Sequence, residues 1–164
     1  MLCIGLFGTC GGSTWRDKFM SSYNSMDINY FNPQVDDWKP ELAEIEANHL
    51  VDDDIILFPV TNETFGTGSL AETGYSIMQA INSNTNRSVI LMVSKDIKEE
   101  LIISDKIASK ESVRARALVR AHISKIKRDN IYFVETLDEM LHLSLELYKV
   151  HQILEDVRKY SVLK

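Results

Sequence analysis

Residues 55–75 read IILFPVTNETFGTGSLAETGY, and this stretch decides the fold. The unbroken apolar run Ile55-Ile56-Leu57-Phe58-Pro59-Val60 predicts a buried strand. A loop of small and hydroxylated residues follows, and Ser69 reads as the N-cap of a helix reaching about residue 81. Glu72 then falls in the first helical turn, at the carboxyl end of a strand. In an open α/β sheet that edge is where ligands bind. Two readings of Glu72 stand side by side. Ser69-Leu70-Ala71-Glu72 matches a capping box, in which the glutamate only satisfies the helix start. Alternatively, the carboxylate serves a ligand in the sheet-edge crevice.

The same strand-to-helix alternation extends in both directions. Strands are predicted over 2–7, 28–31, 55–60, 88–93 and 131–134. Helices are predicted over about 14–23, 40–50, 69–81, 110–127 and 136–160. Pro33 stops the second strand, and Pro40 suits the first position of the helix that follows. Residues 82–86, NSNTN, form a polar break. Five strands alternating with helices imply a parallel sheet covered on both faces. The simplest topology is a doubly wound, flavodoxin-like sheet of order 2-1-3-4-5, in one α/β domain spanning 1–164. The loops after the first three strands then converge.

At 164 residues the chain suits a single domain with a sizeable core. Its 45% apolar and 26% charged residues are ordinary globular proportions. A net charge of −6 disfavours a nucleic-acid polymer as partner, because that role needs a positive surface. No apolar run is long enough to span a bilayer. The start MLCIGLFG lacks a basic leader region and reads as a first strand, so a cytoplasmic location is expected. Cys3 and Cys10 are then expected to be free thiols. A nucleophilic Cys10 would need a neighbouring base, and no histidine lies in the motif loops. His49, His122, His142 and His151 show no metal-ligand spacing with one another or with the cysteines, so no metal and no cofactor is expected. They read as helix-surface or packing residues.

The three converging loops carry the unusual composition. The first runs Gly8-Thr9-Cys10-Gly11-Gly12-Ser13, followed by Arg16 in the next helix. Glycines between a strand and a helix let backbone N–H groups approach an anion, aided by the helix dipole. The same residues also suit a tight turn capped by Ser13. Arg16 either adds a charge-assisted bond or lies on the helix surface. The second loop, Tyr30 to Trp38, holds Asn32 extended before Pro33, and its aromatic residues suit a base. Asp36 and Asp37 also fit as ordinary loop acids. The third loop brings Asn62, Glu63, Thr64, Thr67, Gly68 and Ser69 ahead of Glu72.

GTCGGSTWR, YFNPQVDDW and SLAETGY, in that order, resemble the nucleoside 2-deoxyribosyltransferase-like proteins over roughly the first half of the chain. The resemblance implies a flavodoxin-like fold, homo-oligomers, and cleavage or transfer at an N-glycosidic bond of a nucleoside or nucleoside 5′-monophosphate. The family nucleophile is the glutamate of its E-x-G-Y/R motif, which maps to Glu72 in Glu72-Thr73-Gly74-Tyr75. Retaining glycosyl transfer needs such a carboxylate and a second group to assist the leaving base, for which Glu63 is the candidate. Characterised transferases carry a tyrosine beside the first-loop glycine, where this chain has Leu6. They also place aspartates ahead of the nucleophile, where this chain has Asn62 and Glu63. Related nucleotide N-hydrolases place small hydroxyl and glycine residues near the glutamate, as Thr67, Gly68 and Ser69 do here. Gly8, Thr9, Gly11, Gly12, Ser13, Arg16, Asn32, Asn62, Gly68 and Ser69 are the expected substrate-binding residues. A non-catalytic nucleotide-binding or sensing module is the alternative reading.

In the helix predicted over 110–127, Ala115, Leu118, Val119, His122 and Ile126 share one apolar face. Arg114, Arg116 and Arg120 lie largely off it. They read as a solvated surface, or as a contact to a phosphate bound by a neighbouring subunit.

Overall fold

The computed structural model describes residues 1–37, 39–82 and 86–161. Trp38, read as part of the aromatic second loop, and residues 83–85 of the polar break lie outside the described residues.

Five strands form one all-parallel sheet in the order β2-β1-β3-β4-β5. They are β1 (Ile4–Leu6), β2 (Tyr30–Phe31), β3 (Ile55–Val60), β4 (Ser88–Val93) and β5 (Ile131–Phe133). The helices are α1 (Trp15–Ser25), α2 (Leu42–Asp52), α3 (Thr67–Asn82), α4 (Glu99–Ser104), α5 (Lys106–Ile123) and α6 (Leu137–Arg158). The expected flavodoxin-like α/β topology is the observed one.

β3 and β4 are buried at every position because alternate side chains enter two separate cores. Ile55, Leu57, Ile90 and Met92 join α1 and α6 on one face. Ile56, Phe58, Val60, Val89, Leu91 and Val93 join Leu50 and Ile123 on the other. A strand with two dry faces needs no polar alternation, which is why these two runs were legible.

On the first face α1 lays Trp15, Phe19 and Tyr23 at successive turns. Edge-to-face contacts join their ring centroids at 5.1 and 6.2 Å. The Tyr23 hydroxyl meets Ser144 Oγ at 2.6 Å, closing α1 onto α6. A capping box opens α6, since Thr136 and Glu139 satisfy each other's backbone N–H groups.

Three expectations are corrected. α3 begins at Thr67, so Ser69 lies inside the helix, Glu72 sits in its second turn and no Ser69–Glu72 capping box forms. The charged segment after β4 folds into the short helix α4, and α5 starts at Lys106, capped by Asp105 Oδ1 on the N–H groups of Ile107 and Ala108. The inward face of α5 is Ser109, Ser112, Arg116 and Ile123, whereas His122 and Leu118 are exposed. Two serines and an arginine on a buried face defeat a reading based on apolar spacing.

Candidate functional site

A cleft of about 840 Å³ opens at the carboxyl ends of β1 and β3, the switch point of the sheet. Its size lies within the usual range for a small-molecule site. The first loop lines it with Gly8, Cys10, Gly11 and Gly12. The second contributes Pro33, Gln34, Val35 and Asp36. The third and the start of α3 contribute residues 64–69 and Glu72, while Phe7 and Glu46 complete the wall. Phe7, Val35 and Phe65 contribute apolar surface to the cleft, and Asp36, Glu46 and Glu72 contribute carboxylates.

The first and third loops are held together tightly. Gly8 has φ +93°, and a Cβ there would stand 2.4 Å from the Pro59 carbonyl oxygen, so only glycine permits this approach. Thr9 N–H donates to Pro59 O at 2.9 Å, and Thr61 N–H donates to Thr9 Oγ1 at 2.9 Å. Gly12 and Gly68 differ from Gly8. A Cβ on either would meet no atom within 4 Å, because both backbones face the open cleft.

Arg16 is neither a surface residue nor a lining residue. It is 1% exposed and lies under the first loop. It donates to Leu6 O at 2.9 Å, Thr9 O at 2.7 Å and Gln34 Oε1 at 3.3 Å, and its guanidinium reaches Cys10 Sγ at 3.4 Å. Burial lowers its pKa. The loop carbonyls are thus neutralised from beneath, which leaves the loop's outer side for a ligand.

Arg116 plays the same part under the third loop. It is fully buried rather than solvated. Its guanidinium donates to the carbonyls of Val60, Ser94, Thr61 and Thr64 at 2.9 to 3.3 Å, and its Nε donates to Ser112 Oγ. Arg120 instead pairs with Glu135, and Arg114 with Glu111.

Of the expected site residues, Gly8, Gly11, Gly12, Gly68, Ser69 and Glu72 come together in the cleft wall. Thr9 and Ser13 are buried behind it. Asn32 shapes the second loop, accepting from Gln34 N–H at 3.0 Å through Oδ1. Asn62 is exposed, and its carbonyl accepts from Lys98 N–H. Glu63 does not line the cleft. Its carboxylate accepts from the Ser13 and Thr61 hydroxyls and faces Lys98 at 3.8 Å, tying the two loops together. Leu6, where the transferases carry tyrosine, is fully buried within β1.

Glu46 was missed by the motif reading because it belongs to no motif. Its signal was its place on the inward face of α2, with Leu42, His49 and Leu50. Its consequence is electrostatic. Burial raises the pKa of Glu72, and the Glu46 carboxylate raises it further. Both effects oppose the helix dipole, which favours an ionised carboxylate near a helix start. In the second turn the dipole is weak, and the crowded cleft removes water from the carboxylate. Cys10 is exposed in the wall, while the Cys3 thiol is pushed up to about 12, first by burial and then by Asp53.

The chain belongs to the nucleoside 2-deoxyribosyltransferase-like family, whose family model matches residues 4–90, just over half of its length. Those residues include all three converging loops. Among curated proteins none matches the chain. Among solved structures, the TIR domain heterodimer of RPS4 and RRS1 resembles it with a TM-score of 0.55 at 10% identity. The overlap covers 90% of this chain and 97% of that one, a likeness of fold alone.

Proposed function

We propose that this protein cleaves or transfers at the N-glycosidic bond of a nucleoside or nucleoside 5′-monophosphate, with Glu72 as the nucleophile. The observation that carries the reading is the position of Glu72, in the wall of a cleft that a glycine loop with room for a ligand also lines. The carboxylate attacks C1′, the C1′–N bond breaks with its electron pair leaving on the base, and water or a second base then displaces Glu72. The apolar surface of Phe7, Val35 and Phe65 suits the base. Gly11, Gly12 and the start of α3 at Thr67, Gly68 and Ser69 suit a 5′-phosphate. The Ser13 hydroxyl donates to Glu63 instead, which leaves its backbone N–H as its candidate contact there. Asp36 and Glu46 replace Glu63 as candidates for protonating the leaving base, since both line the cleft.

Because Glu72 caps nothing, Glu72→Gln separates chemistry from stability. Base release from a nucleoside and nucleotide panel, followed by mass spectrometry, is expected to fall by several powers of ten. Stability is expected to stay within about 0.5 kcal/mol. Base release that survives the substitution removes the nucleophile assignment. Ligand binding without base release in the wild-type protein favours the alternative, a nucleotide-sensing module.

The working form proposed is a cytoplasmic homo-oligomer. The support for association is the run of exposed apolar residues Val150, Ile153, Leu154 and Val157 on α6, with Tyr160 just beyond it, a surface that association would bury.

A further inference from the structure

At the amino ends of the strands, opposite the cleft, the fold assembles a second group of chemistry-bearing side chains. Cys3 leads into β1, His49 lies in the last turn of α2, and Asp53 follows that helix. Each offers one ligand atom, and all three atoms lie within 4.8 Å of one another. His49 Nδ1 stands 2.9 Å from Asp53 Oδ1. The other oxygen, Asp53 Oδ2, is buried without a hydrogen bond of ordinary geometry, and the Cys3 thiol is the weak donor that faces this carboxylate. A buried carboxylate oxygen served by no more than a weak S–H donor is under-satisfied and calls for an explanation.

The surroundings are built around that oxygen. Asp53 is 3% exposed. Gly5 lies opposite, in β1, and a Cβ there would come within 2.5 Å of the Phe7 ring and 2.7 Å of Asp53 Oδ2. The strand therefore omits a side chain where the Phe7 ring and the carboxylate sit. The His49 ring stacks on Phe31 with centroids 3.6 Å apart and planes 3° from parallel, which fixes its orientation. The Cys3 backbone is pinned on both sides: its N–H donates to Asp54 Oδ2, and its carbonyl accepts from the N–H groups of Asp54 and Ile55. His49 is the partly exposed member and leaves a path from solvent.

We propose that Cys3, His49 and Asp53 bind a divalent d-block cation of the Zn²⁺ type, with water as the fourth ligand. One sulfur, one imidazole nitrogen and one carboxylate oxygen suit this class of ion, which accepts all three at about 2.0–2.3 Å in tetrahedral geometry. Donors around such an ion stand about 3.3–3.6 Å apart, so the cluster closes by small side-chain movements. Binding requires the Cys3 thiol to release its proton to solvent. The bound ion replaces the weak thiol contact at Asp53 with a strong one and clamps the end of α2 to the start of β1. The competing cation is Arg87, whose Nε is also buried without a partner. Its terminal nitrogens are committed to the carbonyls of Leu50 and Val51.

The test uses the full chain, stripped with a chelator and titrated with Co²⁺ as a spectroscopic substitute for Zn²⁺. Uptake of one equivalent with a thiolate-to-cobalt charge-transfer band is expected, with a melting temperature that rises with Co²⁺ concentration. Cys3→Ser loses the band, Cys10→Ser keeps it, and His49→Gln lowers the affinity by at least about 10-fold. Circular dichroism checks the fold of each variant. If Cys3→Ser fails to fold, the milder His49→Gln carries the comparison. Absence of uptake, Co²⁺ bound without a thiolate band, or a band that follows Cys10 overturns the proposal and leaves Arg87 as the counter-ion of Asp53.

Discussion

At the scale of single residues, the carboxylate pair Glu72 and Glu46 connects structure to chemistry. As the proposed nucleophile, Glu72 must be ionised, so its elevated pKa is expected to move the acid limb of the rate profile toward neutral pH. Glu46 is one source of that elevation. Glu46→Gln removes its negative charge, lowers the Glu72 pKa and is expected to shift the acid limb of kcat/KM to lower pH. A pH–rate series on both proteins checks this. A limb that stays in place shows that another group controls it. If Glu46 also protonates the leaving base, the same variant lowers the plateau rate, an effect separable from the shift. Motif reading found Glu72 but not Glu46, because electrostatic coupling depends on distance in space rather than order in the chain. Glu63 shows the reverse. Its place in the loop suggested an acid, yet two hydroxyls and Lys98 hold its carboxylate as a brace.

At the scale of elements, the two converging loops rest on buried arginines that present no sequence signature. Arg116 supports four carbonyls around the third loop from beneath. Arg116→Met keeps much of the volume but strands those acceptors, and a loss of about 3–5 kcal/mol is expected. Urea unfolding measures it, and a loss under about 1 kcal/mol contradicts the supporting role. The start of α3 offers a contrasting variant. Gly68 is helical, and its missing side chain would point into open cleft. Gly68→Ala is expected to stabilise the protein by up to about 1 kcal/mol, through helix propensity alone. If substrate lies against that turn, the same methyl weakens binding, so Tm and KM rise together. A Tm gain with unchanged KM places the substrate elsewhere. These opposed signs follow from one fact: the helix start retains an unfavourable residue where the cleft needs space.

For the whole molecule, the apolar face of α6 leads to an expected oligomer. Light scattering at micromolar concentration is expected to give at least a dimer. Val157→Asp with Ile153→Asp, two exposed positions that leave the core untouched, is expected to return it to monomer. A wild-type monomer counts against the proposed assembly. The sequence by itself determined the parallel α/β sheet and its order. β3 and β4 are buried on both faces, so their apolar runs are unbroken, and helical punctuation separates them. It also determined which three loops meet, because strand order alone brings their carboxyl ends together. The tertiary structure decided the rest. It set the start of α3 two residues before the expected cap. It buried Arg16 and Arg116, where charge suggested solvent, because loop carbonyls at the sheet edge need donors that the strands cannot supply. It also gathered Cys3, His49 and Asp53 from separate segments. Local patterning records what each residue does within its own turn of chain, whereas these contacts arise only when distant segments share a desolvated space.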